Sequence, residues 1–459
     1  MRVGFLFNHY AVHQVFHAAP YAFELSQRYS NFEVIIVCSS KQEMETAQTI
    51  GTLYPCHRCQ FKLLQPPWYY QLVDPVVSKG AFKRKNMVLR NNLDFFRTLD
   101  ALVAPERHCL KLRTKYGLTD LKLIHTRHGA GDREGGFDER LGAFDFTILP
   151  GQKYVDRLNE LGYLRPGAYA VAGWPKFEVV RGLKRETKRF FDNDNPVVVY
   201  NPHFDQTVSS WRPMGLQVLD FFAKNRDYNL IFAPHVVLFK RSRRHQASLP
   251  KKYYDIPNVL IDKGSAASAD MTYLLAADIY LGDVSSQIYE FLLNPRPCIF
   301  LNGHNVAWLG NPYYFHWTLG QVVNNVETDL RSALEQAFAS HPHFLPKQCE
   351  AFAYTFRTES ESTAAQRGAD ALARFLLGTE SDTPGKAGGL MSGVASKAIA
   401  RVCDYGQQRR EAQKDLYFVT MNGRRFKMLI LHDSYLASEI ERNFEWFGFS
   451  DTCRGTPHI

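Results

Sequence analysis

The sequence has no apolar run of about 18 residues, the length a membrane-crossing helix needs, so no such helix is expected. Met1 to Asn8 is one short strand-like run, without the basic region and long apolar stretch of a secretory signal. A cytosolic location is therefore expected. Cysteine is present but unorganised. The eight cysteines, Cys38, Cys56, Cys59, Cys109, Cys298, Cys349, Cys403 and Cys453, follow no paired spacing, which argues against a disulfide-stapled scaffold. Cys56-His57-Arg58-Cys59 is a lone Cys-x-x-Cys, and the second pair that a structural zinc site wants is missing. No internal repeat is visible, and nothing resembles a nucleic-acid-binding module.

What is present is a chain able to build large cores. Of 459 residues, 45% are hydrophobic and 14% aromatic, and the length predicts two or three domains at about 150 residues each. A net charge of +9 suits anionic partners such as phosphorylated substrates or lipid headgroups. Pro66-Pro67-Trp68-Tyr69-Tyr70, followed by Lys79, Lys83, Arg84 and Lys85, combines rings and cations as a contact with an anionic membrane surface would. The same stretch also fits an aromatic-rich loop packed on its own domain.

Apolar, β-branched runs alternate with helical spacing. Arg2 to Asn8, Val15 to Tyr29 and Phe32 to Cys38 read as strand, helix, strand, the opening of a parallel sheet. Further strand-like runs at Ala101 to Ala104, Lys122 to His125, Phe144 to Leu149 and Ala168 to Ala172 predict a doubly wound α/β domain over residues 1–180. A charged, turn-rich stretch from Arg181 to Pro196 leads to a second series beginning at Val197 and extending over residues 190–377. Residues 378–394 have the Gly, Ser, Thr and Pro content of a flexible linker. Residues 395–459 predict a small α+β module, with a hairpin from Asp415 to Leu431 around Asn422-Gly423. An interaction or homo-oligomerisation role is the expectation for it.

The candidate chemistry lies where strands end. Gly282-Asp283-Val284-Ser285-Ser286-Gln287-Ile288-Tyr289-Glu290 follows the apolar run Ala276 to Leu281 and opens another. Read as strand, tight turn and helix, it offers hydroxyls and unpaired N–H groups to an anion, with Glu290 one helical turn on. A nucleoside diphosphate fits that order of groups; so does a plain serine cap. His125-Thr126-Arg127-His128-Gly129-Ala130-Gly131-Asp132 follows another strand. Its glycines permit close backbone approach, His128 can take a proton near neutral pH, and Asp132 is near enough in sequence to orient it. Pro234-His235 and Asn201-Pro202-His203-Phe204 end two strands of the second series, where a histidine can donate to a phosphate oxygen. Gly173-Trp174-Pro175-Lys176 reads as a rigid exit turn, with Lys176 offered as a phosphate contact.

The ordered set His128-Gly129, Gly173-Trp174-Pro175, Asn201-Pro202-His203-Phe204, Pro234-His235, Asp283-Val284-Ser285-Ser286 and Arg296-Pro297 resembles the CDP-glycerol glycerophosphotransferase family of teichoic acid and capsule synthesis. The resemblance covers roughly residues 95–340. It implies a GT-B fold, two Rossmann-like domains with the active site in the cleft between them. It implies His128 as general base, His235 as the contact that eases departure of CMP, and Ser285 and Ser286 as phosphate-holding residues. Asp283, Asn201 and His203 are expected beside them, and Glu290 where GT-B enzymes bind ribose hydroxyls. It implies CDP-glycerol or a related activated polyol as donor, a membrane-linked acceptor at the inner face of the plasma membrane, and no metal or other cofactor. Three departures stand out: Gly129 is followed by Ala130-Gly131-Asp132 rather than Thr-Pro, His235 by Val236 rather than Pro, and Phe204 by Asp205 where the family tends to have Arg. A GT-B glycosyltransferase or a UDP-sugar 2-epimerase-like enzyme uses the same kind of pocket, and a non-catalytic polyanion-binding protein would account for the charge.

Overall fold

The apolar runs that alternate with helical stretches form two parallel sheets. The structure, a computed structural model, describes residues 1–8, 12–67, 81–133, 136–183, 189–239, 249–358, 361–379, 415–421 and 424–430. The first sheet contains β1 (Arg2–Phe7), β2 (Glu33–Cys38), β3 (Gln60–Leu63), β4 (Ala101–Ala104), β5 (Lys122–Thr126), β6 (Phe146–Leu149) and β7 (Tyr169–Val171), in the order β3-β2-β1-β4-β5-β6-β7. The second contains β8 (Val197–Asn201), β9 (Asn229–Phe232), β10 (Val259–Ile261), β11 (Ile279–Gly282), β12 (Cys298–Leu301) and β13 (Gln321–Val323), in the order β10-β9-β8-β11-β12-β13. Every pairing in both is parallel. Strand order reverses between β1 and β4 in one sheet and between β8 and β11 in the other. Such reversals open crevices at the carboxyl ends of strands.

Both faces of each sheet are covered, which is why the central strands read as continuous apolar runs. Val3, Phe5 and Ile36 face one core of the first sheet, and Leu6, Ile35 and Val37 the other. Tyr200 and Phe232 lie on one side of the second sheet, Val199 and Ile231 on the opposite side. Each such side chain contributes about 1.5–3 kcal/mol on burial.

The edge strands escape sequence reading. Gln60–Leu63 alternates polar and apolar at the sheet margin, and Gln321–Val323 is only three residues long. Two short helices, Ala266–Ala269 and Thr272–Ala276, stand where the apolar spacing reads as one, because Met271 takes a positive φ of 66°. The helix Ala364–Leu377 was grouped by sequence with the second domain, yet it packs on the first. Arg28 and Tyr29 bind Asp370 at 2.9 and 2.7 Å. A Cβ at Gly368 would lie 2.2 Å from the Tyr21 ring, so only glycine permits this approach.

Residues 387–459 form a separate unit. In it β14 (Asp415–Met421) and β15 (Arg424–Ile430) pair antiparallel, with Met421 opposite Arg424. The expected hairpin is present; its Asn422-Gly423 turn, the 380–394 part of the expected linker and the rest of the module lie outside the described residues. So does the aromatic–basic segment from Trp68 to Lys79. Lys85, assigned above to a surface patch, is a correction: it is only 3% exposed. Among the described residues no helix is long and apolar enough to cross a membrane.

Candidate active site

In the second domain, β11 ends at Gly282, which pairs with Asn201 at the end of β8, and the chain turns through Asp283-Val284-Ser285-Ser286 into the helix Gln287–Phe291. Asp283 is fully buried. Its carboxylate accepts from the backbone N–H of His203 at 3.0 Å, Ser210 at 2.7 Å and Val284 at 2.6 Å, and from Ser210 Oγ at 2.8 Å. Burial pushes its pKa up and these donors pull it back. Asp283 is thus an anchor binding the β11 turn to the loop after β8. Its acceptor sites are filled by these protein donors rather than turned to a ligand. Ser285 is buried and Ser286 half-buried beside it.

The strand-end histidines of this domain are donors. The Val237 N–H donates to His235 Nδ1 at 3.3 Å, and the Asp205 N–H to His203 Nδ1 at 3.0 Å. In each neutral ring the hydrogen therefore sits on Nε2. The two rings lie 5.4 Å apart and share Phe204 as a neighbour. Asn201 donates to the Ala233 carbonyl at 2.6 Å, while its buried Oδ1 has no partner. Asp205, where the resembled family carries arginine, lies 3.6 Å from Arg133 of the first domain.

His128 has the opposite character. Its Nδ1 bonds the Pro105 carbonyl. A carbonyl can only accept, so Nδ1 carries the hydrogen and Nε2 the basic lone pair. Burial lowers its pKa to about 4, with Arg127, Arg107 and Lys85 acting in the same sense against the Pro105 bond. The ring is neutral at pH 7 and available as a base.

The two motifs meet through glycine. A Cβ on Gly131 would come within 3.2 Å of Ser286 Cβ, and one on Gly129 within 3.7 Å of Ser286 Oγ. The loop carrying His128 therefore lies directly on the Ser285-Ser286 turn. Asp132 does not orient His128, a correction to the sequence expectation. Its carboxylate accepts from Lys153 Nζ at 3.0 Å, Tyr289 Oη at 2.7 Å, and the backbone N–H and Nδ1 of His316 at 3.2 and 2.9 Å. Burial opposes ionisation, but Lys153 and His316 outweigh it and hold the carboxyl well below the usual range. Lys153 is itself lowered to about 8 by burial, against the pull of Asp132. His316 Nε2 reaches the Asp283 carbonyl at 2.9 Å, so one ring ties Asp132 of the first domain to the Asp283 turn of the second.

Glu290 is likewise corrected. It accepts from Lys176 Nζ at 2.6 Å and Trp174 Nε1 at 3.3 Å, with all three side chains buried. The Glu290 and Lys176 expected at ribose and phosphate instead form an inter-domain strut. Arg296 donates to the carbonyls of Phe291, Asn294 and Ala277 and lies over the Phe291 ring, closing the helix that begins at the turn.

Sequence reading missed Lys153, Tyr289 and His316. Lys153 sits inside an amphipathic helix, Tyr289 in a short buried one and His316 in an aromatic stretch, where each reads as ordinary packing. Among the described residues no group of three or more His, Cys, Asp or Glu side chains is placed to hold a metal ion.

No family model matches the sequence, and no curated protein matches it. Solved structures do. The wall teichoic acid polymerase TagF, in a crystal soaked with CDPG, has a TM-score of 0.51 at 14% identity, over 82% of this chain and 89% of that one. The UDP-GlcNAc 2-epimerase from Neisseria meningitidis, bound to UDP-GlcNAc, gives 0.53 at 13% identity, over 83% and 100%. A protein described as a putative UDP-N-acetylglucosamine 2-epimerase from Listeria monocytogenes gives 0.52 at 13%, over 83% and 97%. Two parallel-sheet domains with their strand-end loops in contact, and this likeness, identify the chain as a GT-B-fold α/β protein of the kind that serves both a teichoic acid polymerase and UDP-GlcNAc 2-epimerases.

Proposed function

We propose that the chain is a phosphotransferase that moves glycerol phosphate, or a similar polyol phosphate, from a CDP-activated donor to a hydroxyl acceptor. One observation carries this: the His128 loop, with a basic Nε2, lies against the Ser285-Ser286 turn, while His203 is bonded through its backbone N–H to Asp283 of that turn and has the His235 ring 5.4 Å away. The acceptor hydroxyl gives its proton to His128 Nε2 as its oxygen attacks the phosphorus that carries the glycerol. The bond from that phosphorus to the bridging oxygen breaks, and CMP leaves with the electron pair. Charge builds on the phosphoryl oxygens in such a displacement, and the Ser285 and Ser286 groups with His235 Nε2–H are suited to meet it. This chemistry needs no cofactor. The acceptor proposed is a membrane-linked glycan, polymer or lipid, reached at the inner face of the membrane.

A second reading, a UDP-sugar glycosyltransferase or 2-epimerase-like enzyme, is supported by the likeness to the UDP-GlcNAc 2-epimerase structures. The test mixes the protein with CDP-glycerol and hydroxyl acceptors and follows CMP. CMP release that depends on acceptor supports the transferase. Absence of CMP release, with preferential binding of UDP, moves the assignment to the UDP-sugar class.

A further inference from the structure

The loop that carries His128 continues through Gly131 and Asp132 to Arg133. Two sets of contacts fix its course. Asp132 is held by Lys153, Tyr289 and His316, and a Cβ on Gly131 would come within 3.2 Å of Ser286 Cβ. Arg133 then reaches the second domain. Its guanidinium carbon lies 5.9 Å from the centre of the Phe204 ring, and that ring is 4.3 and 4.6 Å from the rings of His203 and His235. Its ion pair with Asp205 has an N···O separation of 3.6 Å, longer than a hydrogen bond.

A guanidinium carries five N–H donors, and none of those on Arg133 makes a hydrogen bond among the described residues. The other cations around the seam are bound to protein acceptors. Lys153 holds Asp132 at 3.0 Å, Lys176 holds Glu290 at 2.6 Å, and Arg127 holds the Gly136 carbonyl at 2.6 Å. Arg133 is half-buried. Burial works against its charge, with Asp205 and Asp283 acting in its favour. The groups around it donate as well: the Ser286 hydroxyl, and the Nε2–H of His203 and of His235. An uncharged polyol would leave the cation unmatched. A phosphate matches it and supplies acceptor oxygens for the other donors.

We infer that Arg133 is a phosphate-binding residue of the cleft, whose guanidinium grips a phosphate of a nucleoside diphosphate ester from the first-domain side, opposite the serines and histidines of the second. This rests on the reading of the cleft as a nucleotide-donor site and adds a residue to it. Two coplanar N–H groups meet two oxygens of one phosphate, so Arg133 orients the group as well as neutralising it. Because Arg133 and His128 share a loop, the charge of the bound donor also secures the loop that holds the base.

The test is calorimetric binding of CDP-glycerol, UDP-GlcNAc and inorganic pyrophosphate to the full chain. Arg133→Gln is expected to raise the Kd about ten- to a hundredfold for pyrophosphate and for whichever ester binds, as loss of a hydrogen bond to a charged group would. Arg133→Lys, which keeps the charge but not the planar fork, is expected to fall between. Asp205→Asn is expected to bind at least as tightly as wild type, because it removes the competing charge and keeps the Oδ1 that Thr207 donates to. Unchanged affinity in Arg133→Gln overturns the site. Equal losses of affinity and of urea midpoint in Arg133→Gln and Asp205→Asn also overturn it, since they would make the pair a strut between the domains. A wild type that binds none of the three overturns it as well. Binding of UDP-GlcNAc but not of CDP-glycerol, weakened by Arg133→Gln, would fail the CDP-donor assignment and support Arg133.

Discussion

At the scale of single residues, two strand-end histidines that look alike in sequence are opposite tools. A backbone carbonyl fixes the hydrogen of His128 on Nδ1, and a backbone N–H fixes that of His235 on Nε2. His128→Ala is expected to lower kcat by about 10²–10⁴ while sparing donor affinity, the usual effect of removing a general base. CMP release at the wild-type rate would show that His128 is not the base. Its lowered pKa adds a pH signature. A base with pKa about 4 rather than 6.5 keeps its lone pair down to acid pH. The acid limb of kcat/KM is therefore expected near about 4, and a limb at the ordinary histidine value would contradict the desolvation of the ring. The residue types at the site were legible from sequence because strand ends, glycines and histidines are local signals. Their roles were legible only in part. Asp132, four residues from His128 in sequence, turns to Lys153, Tyr289 and His316, partners that only the tertiary fold supplies.

At the scale of elements, the short helix Gln287–Phe291 holds the domains together. Tyr289 reaches Asp132 and Glu290 reaches Lys176, both in the first domain. Glu290→Ala leaves the buried Lys176 ammonium without its carboxylate and is expected to cost about 3–5 kcal/mol, read as a lower urea midpoint. Unchanged stability with weakened nucleotide affinity would instead restore Glu290 to the ribose. The central strands were visible in sequence because burial on both faces makes them uniformly apolar. The margins were not. Gln60–Leu63 has the mixed pattern of an edge, and the fold places Met271 at a positive φ that no propensity rule for methionine anticipates. The placement of Ala364–Leu377 on the first domain depends on a contact between Gly368 and Tyr21, far apart in sequence and invisible to periodicity.

At the scale of the whole molecule, buried and half-buried neutral histidines link stability to pH. Burial is the first cause in each case: His108 and His128 fall to about 4, and His17 and His125 well below the ordinary 6.5. Between about 4 and 6.5 the unfolded chain binds protons at these rings that the folded chain does not, so stability rises with pH through that window and is lost as pH falls. Glu106, raised from 4.5 to about 7, acts in the other direction and offsets part of this. The net expectation is a lower urea midpoint at about pH 5 than at about pH 7; equal or greater stability at the lower pH would mean that the rings are not buried in the neutral form. The most direct measurement is a crystal structure of the chain soaked with CDP-glycerol. The account predicts the pyrophosphate against Ser285 and Ser286 within reach of His235, with the glycerol end toward His128. A nucleotide bound elsewhere, or one held with its base rather than its phosphates at Ser285-Ser286, would contradict it.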